Sequence, residues 1–77
     1  MSDDSPFHAV VWALRREHRV MRCELRGFSR PDAGWEVQVF EGDSMSFAQR
    51  CQSEAAARFV AASLRRDKLR DGWTEIA

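Results

Sequence analysis

Between Arg19 and Phe28 apolar and charged residues alternate, and this alternation constrains the fold more than any other feature of the sequence. Successive side chains of a β-strand point to opposite faces, so a period of two over this length predicts a strand. The apolar positions are Met21, Cys23 and Leu25, and the charged positions are Arg22, Glu24 and Arg26. The chain is therefore expected to form a sheet with one buried face and one face in water.

Two later stretches, residues 35–40 and 45–51, repeat the alternation. Their inward positions are Trp35, Val37 and Val39 in the first stretch and Met45, Phe47 and Cys51 in the second. Pro, Asp and Gly occur together in residues 29–34 and predict a loop. Residues 41–44 predict a hairpin turn, in which Gly42 takes the positive φ that such turns require. These stretches extend the sheet to three strands.

The sequence predicts the secondary structure of the N-terminal part less clearly than that of the later strands. Residues 1–6 are polar, acidic and closed by Pro6, and we interpret them as a flexible leader. Residues 7–14 form a short, largely apolar run with strand-favouring residues such as Val10 and Trp12. The length and composition of this run favour a further strand. A helix reaching Arg19 is the competing interpretation.

The C-terminal half predicts one helix. Ser53 is a suitable N-cap, and residues 55–70 contain neither Gly nor Pro. The predicted buried stripe, at helical spacing, is Ala56, Phe59, Val60, Ser63 and Leu64. Gly72 is a natural C′ residue, and Trp73 can fold back onto the last turn. Residues 74–77 are interpreted as a loose tail.

Together these elements predict an α+β fold, an antiparallel meander of three to four strands with one C-terminal helix packed on one face. At 77 residues the chain has room for one small core, so residues 7–73 are expected to form a single domain. One helix covers one face of the sheet and leaves the other bare. Three tryptophans serve this small core, and at least one of Trp12, Trp35 and Trp73 is expected to be only partly covered.

Several functional classes lack support in the sequence. No motif for nucleophilic, phosphate-binding or zinc-dependent catalysis is present, so we expect no enzymatic activity and no cofactor. His8 and His18 have no second ligand at helical spacing, which predicts no metal site. Cys23 and Cys51 are interpreted as buried thiols. The acidic N-terminus and the lack of a long apolar run predict a cytoplasmic protein that does not enter a membrane.

Charge is balanced overall but unevenly distributed. Twelve Lys and Arg match twelve Asp and Glu, whereas nucleic-acid binders usually carry a basic excess. Residues 15–30 hold a surplus of arginine, and residues 31–54 are acidic. Eleven of the twelve cations are arginine, which suits interfaces but also follows from genomic base composition. The candidate interaction face consists of Arg19, Arg22, Arg26, Glu36, Gln38 and Arg50.

The first functional hypothesis is a non-enzymatic protein that acts through this face, as a homodimer or as an accessory to a protein partner. The alternatives are a solvated face whose charges pair across strands, and a nucleic-acid-binding module that uses the same arginines.

The motifs Met21–Leu25, Gly34–Val39 and Ser53–Ala56, with a helix ending before Asp71-Gly72-Trp73, resemble small uncharacterised bacterial proteins of strand–strand–strand–helix layout. The resemblance implies a fold and a bacterial origin, and it implies no activity. The element order is also similar to the DNA-binding module of tyrosine recombinases that recognises arm-type sites. In size and topology the chain further resembles phage-encoded inhibitors of bacterial immunity, including some anti-CRISPR proteins, which gives a third hypothesis.

Overall fold

The chain forms a five-stranded antiparallel sheet with one helix on one face, in a computed structural model that describes residues 7–28 and 34–76. The elements are β1 (Phe7–Arg16), β2 (Arg19–Gly27), β3 (Trp35–Glu41), β4 (Ser44–Cys51), α1 (Glu54–Arg70) and β5 (Thr74–Glu75). Their order across the sheet is β4-β3-β2-β1-β5. The predicted α+β layout is confirmed, with more strands than expected. The predicted leader over residues 1–6 and most of the predicted loop lie outside the described residues.

Residues 7–16 form a strand, as predicted, and the helical alternative is wrong. β1 pairs with β2 from Phe7 opposite Gly27 to Arg16 opposite Arg19, with a bulge between Val10 and Trp12. Val11 is the extra residue of this bulge, so Trp12 lies opposite the buried Cys23 and on the same face of the sheet. Without this bulge Trp12 would point away from the helix.

The core lies between the sheet and α1. Its buried side chains are Trp12, Leu14, Met21, Cys23, Leu25, Val37 and Val39 from the sheet, Ala57 and Ala61 from α1, and Trp73. We call this side of the sheet the covered face. Trp35 packs at its edge and is only half-buried, in line with the expectation that one tryptophan is partly covered.

The rotation of α1 differs from the prediction. Ser53 is the N-cap as predicted and accepts a hydrogen bond from the backbone N–H of Ala56. The buried positions, however, are Ala57 and Ala61, and Phe59 is 70% exposed. The indole Nε1 of Trp12 donates to the carbonyl oxygen of Ala61 at 2.7 Å. A bulky indole beneath the helix requires small residues at the contact, so the alanine side faces the sheet.

The residues from the end of α1 to Ile76 do not form the loose tail predicted for residues 74–77, of which Ala77 lies outside the described residues. Gly72 has φ +100° and the backbone N–H of Trp73 donates to the carbonyl of Lys68 at 3.1 Å, which turns the indole back into the core. Thr74 and Glu75 then form β5 against Leu14 and Arg15 of β1. A strand of two residues carries no alternation, so it escapes a pattern-based prediction.

In β4 the predicted inward position of Met45 is wrong. A bulge between Val39 and Phe40 shifts the register, so that Phe47 lies opposite Val39 while Met45 lies opposite Phe40. Phe47 packs against the core, and Met45 lies on the other side, 50% exposed. One extra residue in a strand moves every following side chain to the opposite face.

Candidate interaction face

The sheet face opposite α1 carries no packed element among the described residues, and we call it the open face. Its residues come from the four long strands: His8, Val10, Ala13, Arg22, Glu24, Arg26, Glu36, Gln38, Phe40, Met45, Ala48 and Arg50. Five of the six predicted interaction residues, Arg22, Arg26, Glu36, Gln38 and Arg50, belong to it.

The strand register arranges this face in three rows that run from β1 to β4. The charged row is His8, Arg26, Glu36 and Arg50; the middle row is Val10, Glu24, Gln38 and Ala48; and the aromatic row is Ala13, Arg22, Phe40 and Met45. Neighbours within a row have their side chains about 5 Å apart and interact directly.

Glu24 lies near the centre of the open face and is only 8% exposed. Its carboxylate accepts hydrogen bonds from Nε of Arg22 at 2.6 Å and from Nε2 of His8 at 2.7 Å. Burial raises the pKa of Glu24, but the hydrogen bonds and the charge interactions with Arg22 and His8 together outweigh burial and leave the pKa below its ordinary value. A fixed carboxylate thus occupies the middle of a surface with an arginine surplus.

Arg22 is held by three contacts. Besides Glu24, its Nη1 donates to the carbonyl oxygen of Gly42 at 3.0 Å, and its guanidinium lies 4.5 Å from the ring centre of Phe40. A guanidinium with this many contacts is oriented before any partner arrives. Binding a phosphate would require it to give up part of this arrangement.

Gln38 is the neighbour of Glu24 in the middle row and is 7% exposed. Its Nε2 donates to Glu36 at 2.8 Å, whereas its buried Oε1 has no hydrogen-bond partner among the described residues. A buried acceptor without a donor costs about 1–3 kcal/mol. The open face therefore contains a polar group that residues 7–28 and 34–76 leave unsatisfied.

Exposed apolar side chains surround this polar network. Val10 is 56% exposed and Met45 50%, and Val20 lies beyond the aromatic row on the same side of β2. Arg50 stacks on Phe28 at 5.5 Å, which places another arginine–aromatic pair at the edge. Apolar groups around oriented polar groups are typical of protein–protein interfaces.

The sixth predicted residue, Arg19, lies on the covered side of the sheet instead. Its guanidinium donates two hydrogen bonds to Glu41, at 2.6 and 2.9 Å, and lies 5.3 Å from the ring centre of Trp73. These hydrogen bonds raise the pKa of Arg19 and lower the pKa of Glu41. Strand alternation places Arg19 with Met21 and Cys23, so the sequence already contained the signal against grouping it with Arg22.

Arg19 forms part of the rim of a cleft between β2 and the end of α1. The cleft has a volume of about 410 Å³, with an apolar floor that includes Trp12 and Phe47 and a rim that includes Arg16 and Lys68. The rim carries both signs of charge, since Glu41 and Asp71 lie beside these cations.

Seven members of the open face were absent from the predicted interaction face: His8, Val10, Ala13, Glu24, Phe40, Met45 and Ala48. His8 and Phe40 show two different reasons for this. His8 belonged to a segment whose secondary structure was open, and Phe40 was the last residue of its predicted strand. Strand alternation extended through Phe40 would have placed it beside Arg22. His8 has the parity of the buried Trp12 and reaches the open face only because of the bulge in β1.

Within residues 7–28 and 34–76, no group of three or more His, Cys, Asp or Glu side chains could hold a metal ion. In the same part of the chain, no helix is both long and apolar enough to span a membrane. No protein-family model, no curated protein and no solved structure matches this chain.

Proposed function

We propose that this chain is a non-enzymatic, cytoplasmic bacterial protein whose open face binds another protein chain. The observation that carries the proposal is the exposure of Val10 and Met45 on opposite sides of the fixed Glu24–Arg22 network. Burying these apolar groups favours association, and the oriented polar groups give specificity.

The charge pattern supports a protein partner over a nucleic acid. Arg22 is paired with Glu24 at 2.6 Å, and Arg26 lies opposite Glu36 in the register. Nucleic-acid binding depends on cationic side chains that neutralise phosphates. On this face the carboxylates of Glu24 and Glu36 lie among the arginines and would repel phosphates. The zero net charge of the chain agrees with this argument.

A photo-cross-linking residue at Ala48 tests the proposal, because Ala48 is an exposed residue of the open face. The matched control is the same replacement at Ala62, an exposed alanine of α1. In cells that make the protein naturally, we expect a protein adduct of defined mass from position 48, absent from position 62 and lost when Arg26→Glu is added. No protein adduct from position 48, or an adduct to nucleic acid, would contradict the proposal.

A titration with short duplex DNA at low salt addresses the nucleic-acid alternative directly. We expect no binding up to about 50 µM protein, well above the concentrations at which non-specific DNA binders saturate at low salt. Micromolar affinity that falls steeply with added salt would favour the alternative and count against a protein partner.

A further inference from the structure

We infer that the partner of the open face is a second copy of this chain, related by a two-fold axis that runs parallel to the strands between β2 and β3. The inference rests on the proposed function, since it names the partner of the same surface. Two sheets packed face to face lie about 10 Å apart with their strands nearly aligned. This axis places β3 over β2 of the second copy, and β4 over its β1.

Such an axis keeps each residue at its height along the strands, so every row meets the same row in reverse order. In the charged row Glu36 meets Arg26 of the second copy. In the middle row Gln38 meets Glu24, and Ala48 meets Val10. A carboxylate thus faces a guanidinium, an amide donor faces a carboxylate, and two exposed apolar groups cover each other.

The aromatic row gives the same result. Phe40 meets Arg22 of the second copy, and Met45 meets Ala13. Arg22 already lies against the ring of Phe40 within its own chain, so this pairing adds a second ring to an oriented guanidinium. Arg50 meets His8 of the second copy at the rim, a pairing that contains no opposite charge.

A two-fold axis that is perpendicular to the strands and passes through the middle row does not give this match. It lays each strand on its own counterpart, so Glu24 meets Glu24 and Arg22 meets Arg26 of the second copy. Like charges placed opposite each other at an interface cost several kcal/mol. Of these two axes through the centre of the open face, the axis parallel to the strands is the one that pairs opposite charges.

The size of the face indicates a reversible dimer. Four strands spaced about 4.8 Å and about seven residues long give a footprint of roughly 19 by 23 Å. Standard interfaces bury about 800 Å² on each partner, so this surface lies toward the smaller interfaces. The helices would lie outside, on the two outer faces of a four-layer assembly.

Sedimentation velocity from about 1 to about 500 µM, a range that spans weak and standard interfaces, measures the association. We expect the wild type to pass from monomer to dimer. Arg26→Glu and Glu36→Arg should each remain monomeric, because each homodimer then contains two like-charge contacts. An equimolar mixture of the two variants should dimerise again, since both contacts become attractive in the heterodimer.

Mixing separates contacts between chains from those within a chain, because Arg26 and Glu36 are also neighbours in one sheet. Each variant keeps its own internal repulsion in the mixture, and only contacts between chains are repaired. Ala48→Arg is a second variant whose exposed position leaves folding intact; we expect it to be monomeric, with Ala62→Arg behaving as the wild type.

The outcomes distinguish this inference from the proposed function. A wild type that stays monomeric throughout overturns the second copy, while a charge-dependent adduct from position 48 would keep the proposal of a protein partner. A dimer that survives Arg26→Glu and Ala48→Arg but is lost with Phe59→Ala overturns the second copy on the open face and assigns self-association to α1, while the adduct from position 48 still decides the proposed function. Folded variants that do not recover on mixing overturn the two-fold arrangement.

Discussion

The two faces of the sheet are built from alternate residues of the same strands, yet different forces hold their side chains. On the covered face Leu25 and Val37 are fully buried among apolar neighbours. On the open face Glu24 and Gln38, next to them in sequence, are nearly as buried, but hydrogen bonds and ion pairs fix them. The covered face is held by apolar packing, while the open face carries an ordered pattern of polar and charged groups.

The largest expected difference is in the rates at which the two thiols of the covered face react. Burial, with a smaller effect from the charge of Glu24, raises the pKa of Cys23 to about 12. Cys51 was predicted to be buried as well, but at the end of the edge strand β4 it is only half-buried. A buried thiol reacts only when the chain opens, which is slowed about a thousandfold or more at ordinary stabilities.

We therefore expect iodoacetamide to modify Cys51 of the native protein far faster than Cys23, with both reacting in denaturant. Mass spectrometry of the peptides follows both residues in one sample. Equal native rates would mean that the covered face opens as readily at its centre as at its edge.

The second prediction compares truncations on the two faces. Leu25→Ala removes a fully buried side chain of β2 and should lower the free energy of unfolding by about 2–5 kcal/mol. Val10→Ala removes an exposed side chain of the open face and should change it by less than about 1 kcal/mol. Denaturant unfolding at low protein concentration, where association is absent, measures both. Similar losses would mean that the open face contributes to folding as the core does.

The third prediction concerns acid. The lowered pKa of Glu24 stabilises the folded chain above the ordinary value of 4.5, and this contribution is lost as the pH falls through the folded-state pKa. Glu24→Gln should cost about 1–3 kcal/mol at neutral pH, since it removes charge-assisted hydrogen bonds from Arg22 and His8. Its stability should also decline less steeply than that of the wild type below pH 4.5.

Glu41→Gln is the matched control for Glu24→Gln. The pKa of Glu41 is lowered too, by its hydrogen bonds with Arg19, but the Arg19–Glu41 pair is more exposed than Glu24. We expect a smaller loss at neutral pH, because solvent screens an exposed ion pair. If both variants lose equal stability, burial of Glu24 does not strengthen its hydrogen bonds with Arg22 and His8.

The four long strands, the helix, its N-cap and the glycine at its end follow from sequence periodicity and capping residues, because these signals are local. The rotation of α1 about its axis could not be predicted in this way, because a hydrophobic pattern favours burial of Phe59 over burial of the alanines. The Trp12 indole beneath the helix favours the alanine side, and that contact is not visible in the local sequence. Met45 was misplaced because a bulge has no sequence signature here.

The candidate site was predictable to the same extent. Alternation was sufficient to group Arg22, Arg26 and Glu36, while the two-residue strand β5 and the stacking of Arg19 on Trp73 depend on contacts between residues more than fifty positions apart. The pairing of His8 with Glu24 likewise requires the register of β1, which the sequence left open.

The smallest expected effect tests why the open face uses arginine. Nε and Nη1 of Arg22 bond Glu24 and the Gly42 carbonyl while its plane covers the Phe40 ring. A lysine ammonium is a compact charge that cannot make all three contacts, so Arg22→Lys should cost about 0.5–1 kcal/mol. Arg66→Lys on the exposed side of α1, where a single 3.3 Å hydrogen bond to Ser63 is at stake, should change stability by less than about 0.5 kcal/mol. Thermal unfolding of both variants beside the wild type gives the comparison. If both variants lose equal stability, genomic base composition is a sufficient explanation for the excess of arginine over lysine. A larger loss for Arg22→Lys would show a structural reason for arginine on this face.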